Sequence, residues 1–538
     1  MFPERLLRGG LSCRAPLSQE DTLRAIRRSF TRSLSALLRT GTATVLLGGG
    51  GCSHAPSTPP PLVACEGFRG RTLEGALLTG ASVIAAQGEL PEYCQVTGTL
   101  PPSLHFEVRL PTAWNGRTIY GGGGGFDGFI IGGDSYTTQG YASIASDGGH
   151  TGHPLDGSFA QDKAALEDFA SLSTHRVLPV AKAIIREHYG KTSAKTYFEG
   201  CSNGGREALI EAQRWPEDFD GIIARAPAYD FVELMLTFGH HAQRLAQPGA
   251  MPSGAKLARL GKAILAACDA SDGLADGILS RTDACSFDPA VLQCHGESTP
   301  ECLTPLELAS VKALASPYVL KGRTFNAGWT PGDASDPGGW APWLDQPELT
   351  ATTGSRLSRD VIRFFITQDP KFDPATFDAA AWQPRIDAMS ARVSARSADL
   401  GRFRARGGKL ILWHGGADGI ISQRGTTAYY EQLVQAAGGQ AAADAFVEYF
   451  PAPGVQHCGG GAGADSVDLL PALEDWVEGG KPPSQANLVA TRRAAADPRA
   501  LSRPLCKYPL YPRYNGTGDV TRAASFTCVA PTPLTPPT

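Results

Sequence analysis

YFEGCSNGGRE, residues 197–207, joins a short aromatic run to a glycine-flanked turn and then to a charged, helix-forming segment. Gly200, Ser202 and Gly204 satisfy G-x-S-x-G. In that pattern a serine on a sharp strand-to-helix turn projects its hydroxyl above a sheet, while the glycines relieve backbone crowding. In a chain with 63 glycines the pattern alone carries little weight. Its surroundings carry more. KTYFEG before the turn reads as a strand, and GGREALIEAQRWP after it reads as a helix running to Pro216. Cys201 and Ser202 are adjacent and both are competent nucleophiles, so the turn by itself leaves open which of them reacts.

The same rhythm extends in both directions. HFEVRLPTAWNGRTIYGGGGGF reads as two strands around a loop, and YASIASDGG as a further strand. DFASLSTHRVLPVAKAIIREHYG has apolar residues near a 3.6 period and stops at Gly190. FDGIIARAPA is again a strand. This β-α-β alternation predicts a mostly parallel sheet covered on both faces. The rhythm breaks near residue 228. From there to about 395 the chain is irregular, with four cysteines, many prolines and Trp329, Trp340, Trp343 and Trp382. It resumes at GGKLILWHGGADGIIS and FVEYFPAPGVQHCGG. A sheet interrupted and then resumed predicts an α/β-hydrolase fold with a large inserted lid. The expected organisation is a leader over 1–52, a first core part over 53–227, a lid over 228–395 and a second core part over 396–538.

The resumed segments supply two partners for the serine. Asp418 sits in the loop behind the strand at 409–413, and His457 in the loop behind FVEYF. Asp418 alone would pass for an ordinary turn residue. Each follows a strand, and the order Ser202, Asp418, His457 is that of α/β-hydrolases. Histidine would take the hydroxyl proton as Ser202 attacks a carbonyl, and aspartate would fix the histidine tautomer. His414, before a Gly-Gly pair, is expected to pack against or orient the Asp418 loop. Glycines 121–125 after RTIY allow backbone N–H groups to approach a ligand oxygen. One of them, placed at Gly124, would be one oxyanion donor and the Asn203 N–H the other. No Gly-Lys-Ser/Thr follows, which argues against a phosphate loop.

Composition narrows the function classes. Hydrophobic residues make up 42% and charged residues 19%, an ordinary globular balance. A net charge of −4 with no long basic run excludes nucleic acid as an expected partner, and no partner protein is indicated. The first 52 residues have a basic start, the RRSFTR run (27–32) that resembles a twin-arginine signal, a short apolar segment and a small-residue run before Cys52, a possible lipid-anchor site. Export is expected. Two of the twelve cysteines, Cys13 and Cys52, lie in that leader, and an even ten remain. In an exported chain these suggest disulfides, with no C-x-x-C pair to favour zinc. Cys65 and Cys94, Cys268 and Cys285, Cys294 and Cys302, and Cys506 and Cys528 lie close in sequence. Cys201 and Cys458 are left over.

GCSNGGREAL, WPEDFDGIIARAPA, LILWHGGADGIIS and GVQHCGG together resemble the tannase and feruloyl esterase family over roughly residues 60–530. The resemblance implies that Ser202 is the nucleophile with Asp418 and His457, and that Cys201 and Cys458 are joined. It also implies structural Ca2+ in CDASDGLADGIL (268–279), with side chains of Asp269, Asp272 and Asp276 and backbone oxygens of Leu274 and Ile278. By residue chemistry alone this segment is an acidic glycine-kinked loop suited to a hard cation, without EF-hand spacing. The implied substrate is a small aromatic ester or a feruloylated or galloylated plant polymer. Feruloyl ester hydrolysis is the first expectation and galloyl ester hydrolysis (tannase) the alternative. A non-catalytic carbohydrate-binding surface lipoprotein is the reading from another class, and it should have lost a triad member or the glycines. Arg363, Phe364 and Phe365 are candidate pocket residues, although core packing accounts for the phenylalanines equally well.

Overall fold

Alternating apolar side chains between Ala76 and Pro111 build the first strands, and near-continuous apolar runs build the later ones. A computed structural model describes residues 62–330, 340–344, 346, 348–492 and 500–531. The expected leader, with its RRSFTR run and Cys52, lies outside the described residues. The strands are β1 (Thr72–Leu73), β2 (Ala76–Ile84), β3 (Tyr93–Leu100), β4 (Leu104–Pro111), β5 (Arg117–Gly121), β6 (Ala142–Ser146), β7 (Lys195–Cys201) and β8 (Gly221–Arg225). A small hairpin, β9 (Tyr318–Leu320) and β10 (Arg323–Asn326), precedes β11 (Lys409–Gly415) and β12 (Val447–Ala452). Ten of these form one sheet in the order β1-β2-β3-β4-β6-β5-β7-β8-β11-β12.

From β6 to β12 every pairing is parallel, whereas β1 to β4 form an antiparallel meander that joins β6 antiparallel. The expectation of a mostly parallel sheet therefore holds for the half that carries the G-x-S-x-G turn. The stretch 105–126 does give two strands around a loop, but β6 lies between them: apolar alternation specifies a strand and not its neighbour.

The longer helices are α1 (Ser173–Tyr189), α2 (Asn203–Arg214), α3 (Phe231–Leu245), α4 (Gly254–Cys268), α5 (Pro305–Ala315), α6 (Thr353–Asp360), α7 (Gln383–Val393), α8 (Gln423–Ala436) and α9 (Leu470–Gly479). Gly190 ends α1 in the left-handed region at φ 72°. None of the described helices is long and apolar enough to cross a membrane.

Successive residues of the central strands feed opposite faces. Phe198, Ile222, Leu410 and Leu412 pack with α1, α2 and α8, whereas Tyr197, Ile223, Ile411 and Trp413 pack with α9 through Leu473 and Trp476. Burying each such side chain contributes about 1.5–3 kcal/mol. Residues between β8 and β11 close a separate apolar core around Phe238, Leu260, Trp329, Trp340, Trp343 and Phe365, to which Phe126 and Phe169 also contribute. Phe365 is fully buried there, stacked on Phe126, so its side chain is core. Arg363 donates to the Phe372 carbonyl at 2.9 Å. Beyond α9 the chain adds two small two-stranded sheets, β13 (Val489–Thr491) with β14 (Ser502–Pro504) and β15 (Tyr511–Tyr514) with β16 (Phe526–Val529).

Candidate active site

Strand β7 ends at Cys201 and α2 begins at Asn203, which leaves Ser202 alone on the turn with φ 64° and ψ −120°. A non-glycine residue is strained in that region, and the surroundings must hold it. They do so through backbone bonds: the Ser202 N–H donates to the Arg225 carbonyl at 3.0 Å, and the Ser202 carbonyl accepts from the Arg206 and Ala228 N–H groups. The flanking glycines are required by close approach. A Cβ on Gly200 would lie 2.5 Å from the Gly204 backbone, and one on Gly204 2.8 Å from the Gly123 carbonyl oxygen.

The serine faces a histidine carried by another loop. His457 Nε2 lies 2.9 Å from Ser202 Oγ, and His457 Nδ1 lies 2.8 Å from Asp418 Oδ2. With the proton on Nδ1, His457 donates to the aspartate and accepts from the serine hydroxyl. Asp418 is fully buried, and its Oδ1 accepts the Ile420 and Ile421 N–H groups at 2.8 and 2.9 Å. Burial alone would raise its carboxyl. The charges and hydrogen bonds of His457 and His414 outweigh burial and hold it well below the usual carboxylate range. His414 Nε2 lies 3.2 Å from Asp418 Oδ2 and 2.9 Å from the Ile421 carbonyl, and its Nδ1 lies 2.8 Å from Thr426 Oγ1. It is fully buried and fixes the Asp418 loop from below.

The glycine loop crosses beside this turn. Gly204 N–H donates to the Gly123 carbonyl at 3.1 Å, Gly122 N–H to the Glu199 carbonyl, and Gly123 N–H to Glu207 Oε2. Those contacts commit Gly122 and Gly123, whereas the Gly124 N–H has no acceptor among the described residues. Asn203 N–H, at the start of α2, has no intrahelical acceptor.

The ten cysteines pair as Cys65–Cys94, Cys201–Cys458, Cys268–Cys285, Cys294–Cys302 and Cys506–Cys528. The Cys201–Cys458 bond spans 257 positions and links the residue before the serine to the residue after the histidine, with their Cα atoms 6.0 Å apart. It removes the thiol that Cys201 would need as a nucleophile.

The acidic loop follows α4. Asp269 Oδ2 accepts the Gly277 N–H at 2.8 Å, Asp272 Oδ1 the Leu274 N–H and Asp276 Oδ1 the Ile278 N–H, both at 3.0 Å. Asp269 Oδ1 is buried without a hydrogen bond, and burial with the neighbouring Asp276 and Asp269 charges pushes Asp272 up to about 6. An orphaned oxygen among crowded carboxylates fits a hard cation. Asp276 instead also holds Arg503 Nη2 at 2.6 Å, and among the described residues no three His, Cys, Asp or Glu side chains converge as a metal site. That leaves Asp269 and Asp272 as the side chains that fit. Ile278 packs under the His457 loop, 3.1 Å from where a Gly454 Cβ would stand.

Three charged groups were not singled out from sequence: Asp127, Arg206 and Glu207. All are buried. Arg206 Nη1 donates to the Ala170 and Val393 carbonyls at 3.0 Å, and Nη2 to the Phe169 carbonyl at 2.8 Å. The available signal was an Arg-Glu pair at the start of the helix that leaves the nucleophile.

Comparison with known proteins places these features in company. The profile of the family "Tannase and feruloyl esterase" matches residues 86–529. The chain is 34% identical to the mono(2-hydroxyethyl) terephthalate hydrolase of Piscinibacter sakaiensis, over 84% of this chain and 87% of that protein. It is 34% identical to a probable feruloyl esterase of Arthroderma benhamiae, over 78% and 81%. In fold it resembles the crystal structure of feruloyl esterase B from Aspergillus oryzae, with a TM-score of 0.77 at 24% identity over 86% of this chain and 99% of that one.

Proposed function

Because the chain belongs to the tannase and feruloyl esterase family, we propose that it hydrolyses an aromatic carboxylic ester, foremost a feruloyl ester, through an acyl-enzyme on Ser202. The observation that carries this is the unbroken chain Ser202 Oγ–His457–Asp418, with contacts of 2.9 and 2.8 Å. His457 Nε2 takes the hydroxyl proton as Ser202 attacks the ester carbonyl. Asp418 stabilises the imidazolium that forms. The oxyanion of the tetrahedral intermediate is met by the N–H groups of Asn203 and Gly124, donors whose value is greatest where charge develops. His457 returns its proton to the leaving alcohol, and a water activated by the same nitrogen then releases the acid.

The complete triad and the uncommitted Gly124 donor argue against a binding-only role. The insertion over 228–395 is the acyl-recognition surface. Ca2+ would be held by Asp269, Asp272 and Asp276 with backbone oxygens of Leu274 and Ile278, Asp276 giving up its Arg503 contact, and its role would be structural, since none of Ser202, His457 and Asp418 belongs to that loop. Five disulfides favour an oxidising compartment and hence an exported protein, free or anchored at Cys52. The test is kcat/KM for methyl ferulate, methyl caffeate, methyl gallate and p-nitrophenyl acetate, with fluorophosphonate labelling of Ser202. A higher value for methyl gallate would move the assignment to tannase. No turnover of any ester and no labelling would remove the esterase reading.

A further inference from the structure

Two carboxyl groups outside the Ser202–His457–Asp418 chain lie buried directly beneath the residues that offer N–H groups to the reacting oxygen. Asp127 is 1% exposed and Glu207 7%. Both accept from one nitrogen: Asn203 Nδ2 donates to Asp127 Oδ1 at 2.6 Å and to Glu207 Oε1 at 3.1 Å. Glu207 Oε2 holds the Gly123 N–H at 3.0 Å. The acids thus tie the glycine loop on one side and Asn203 on the other, the two segments that carry the oxyanion donors. There is no room for slack, since a Cβ on Gly123 would stand 2.6 Å from Asp127 Oδ1, and one on Gly148 would collide with Oδ2.

Charge decides the protonation. The facing cation is Arg206, whose Nε donates to Asn203 Oδ1 at 2.7 Å while its other nitrogens go to backbone carbonyls. On the 146–150 segment, the Asp147 carboxylate is turned away to His105 and the Gly149 N–H, and His150 stacks on Phe159. One guanidinium cannot neutralise two carboxylates that share a donor in a dry site, so one acid keeps its proton. Burial first, then the Glu207 charge and hydrogen bond, push Asp127 well above the usual carboxylate range.

Resting on the acyl-transfer reading of Ser202, we propose that Asp127 and Glu207 are positioning residues that set the oxyanion hole. Asp127, the more deeply buried of the two, is the neutral one, and Glu207, which accepts both the Gly123 N–H and an Asn203 N–H, locks the glycine loop to Asn203.

An amide can replace a protonated carboxyl but not a doubly accepting carboxylate, because its NH2 would face the Gly123 N–H or the Asn203 NH2. Asp127→Ala and Glu207→Ala are each expected to lower kcat by about 100-fold with KM within about twofold, the effect of a displaced catalytic group. Asp127→Asn recovers most of that loss, and Glu207→Gln does not. Affinity for an aryl boronic acid, whose tetrahedral adduct occupies the oxyanion hole, falls in parallel with kcat. Infrared spectroscopy supplies a readout that needs no glutamate variant: the wild type shows a protonated-carboxyl band at neutral pH that is lost in Asp127→Asn. Rescue by both amides or by neither, or a band unchanged in Asp127→Asn, overturns the proposal. A wild type inactive on every ester overturns the acyl-transfer reading instead.

Discussion

Breaking the Cys201–Cys458 bond should separate its contributions to stability and to rate. The perturbation is the double variant Cys201→Ala/Cys458→Ala, compared with mild reduction of the wild type. A closed loop of 257 positions corresponds, on chain-entropy grounds, to about 5.5 kcal/mol at 25 °C, an upper figure because native-state strain and residual unfolded structure reduce it. Unfolding entropy of ~2.1 cal/mol/K per residue over roughly 480 residues gives ~1 kcal/mol/K, so Tm should fall by up to about 5 °C. The rate should fall further than this modest shift suggests. Ser202 and His457 sit on separate loops held by this bond, and a displacement of ~1 Å between reacting groups can cost ~100-fold in kcat. The assays are differential scanning calorimetry and steady-state hydrolysis of methyl ferulate, with and without reductant. Activity that rises on reduction and is then lost to a thiol alkylator would refute the reasoning, because it would make Cys201 the nucleophile and the disulfide its latch.

Ser202→Ala should lower kcat on the order of 10⁶-fold with an unchanged melting curve, and Asp418→Asn ~10⁴-fold, since serine and histidine remain but the tautomer is lost; steady-state kinetics with circular dichroism checks both. Excess chelator should lower Tm and kcat together, because the acidic loop packs under the His457 loop, and added Ca2+ should restore both; an unchanged Tm and no calcium by elemental analysis would eliminate the site. The Asp418 carboxyl is depressed in the folded state, so its stabilisation is fully present above the unfolded value of about 4 and is lost as pH falls through the lower folded value. Denaturant unfolding should therefore show the gap between wild type and Asp418→Asn constant above about pH 5 and narrowing below about pH 4.

The triad was legible because each member follows a strand and local chemistry marks it: glycines around Ser202, a turn at Asp418, a loop at His457. His414 was legible only as structural; its bonds to Thr426 and Ile421 needed coordinates. The pairing of Cys201 with Cys458 was not contained in their spacing and came from family resemblance. Strand order was likewise hidden, since nothing in HFEVRL or RTIY says that β6 inserts between them. Asp127, Arg206 and Glu207 escaped for a deeper reason. A buried polar network depends on residues distant in sequence meeting at hydrogen-bond distance, and no periodicity encodes that meeting.

Arg206 limits how the segment over 228–395 can be exchanged between relatives. Its guanidinium leaves the nucleophile helix and grips the Val393 carbonyl, near the end of the inserted segment, together with Phe169 and Ala170 ahead of α1. A transplanted insertion must therefore present a carbonyl in that place, or it leaves a buried cation partly unsolvated beside the reacting serine. Chimeras cut inside residues 228–395 and leaving the α7 end native should keep turnover while altering ester choice; those that replace Val393 as well inherit a fault at the heart of the enzyme.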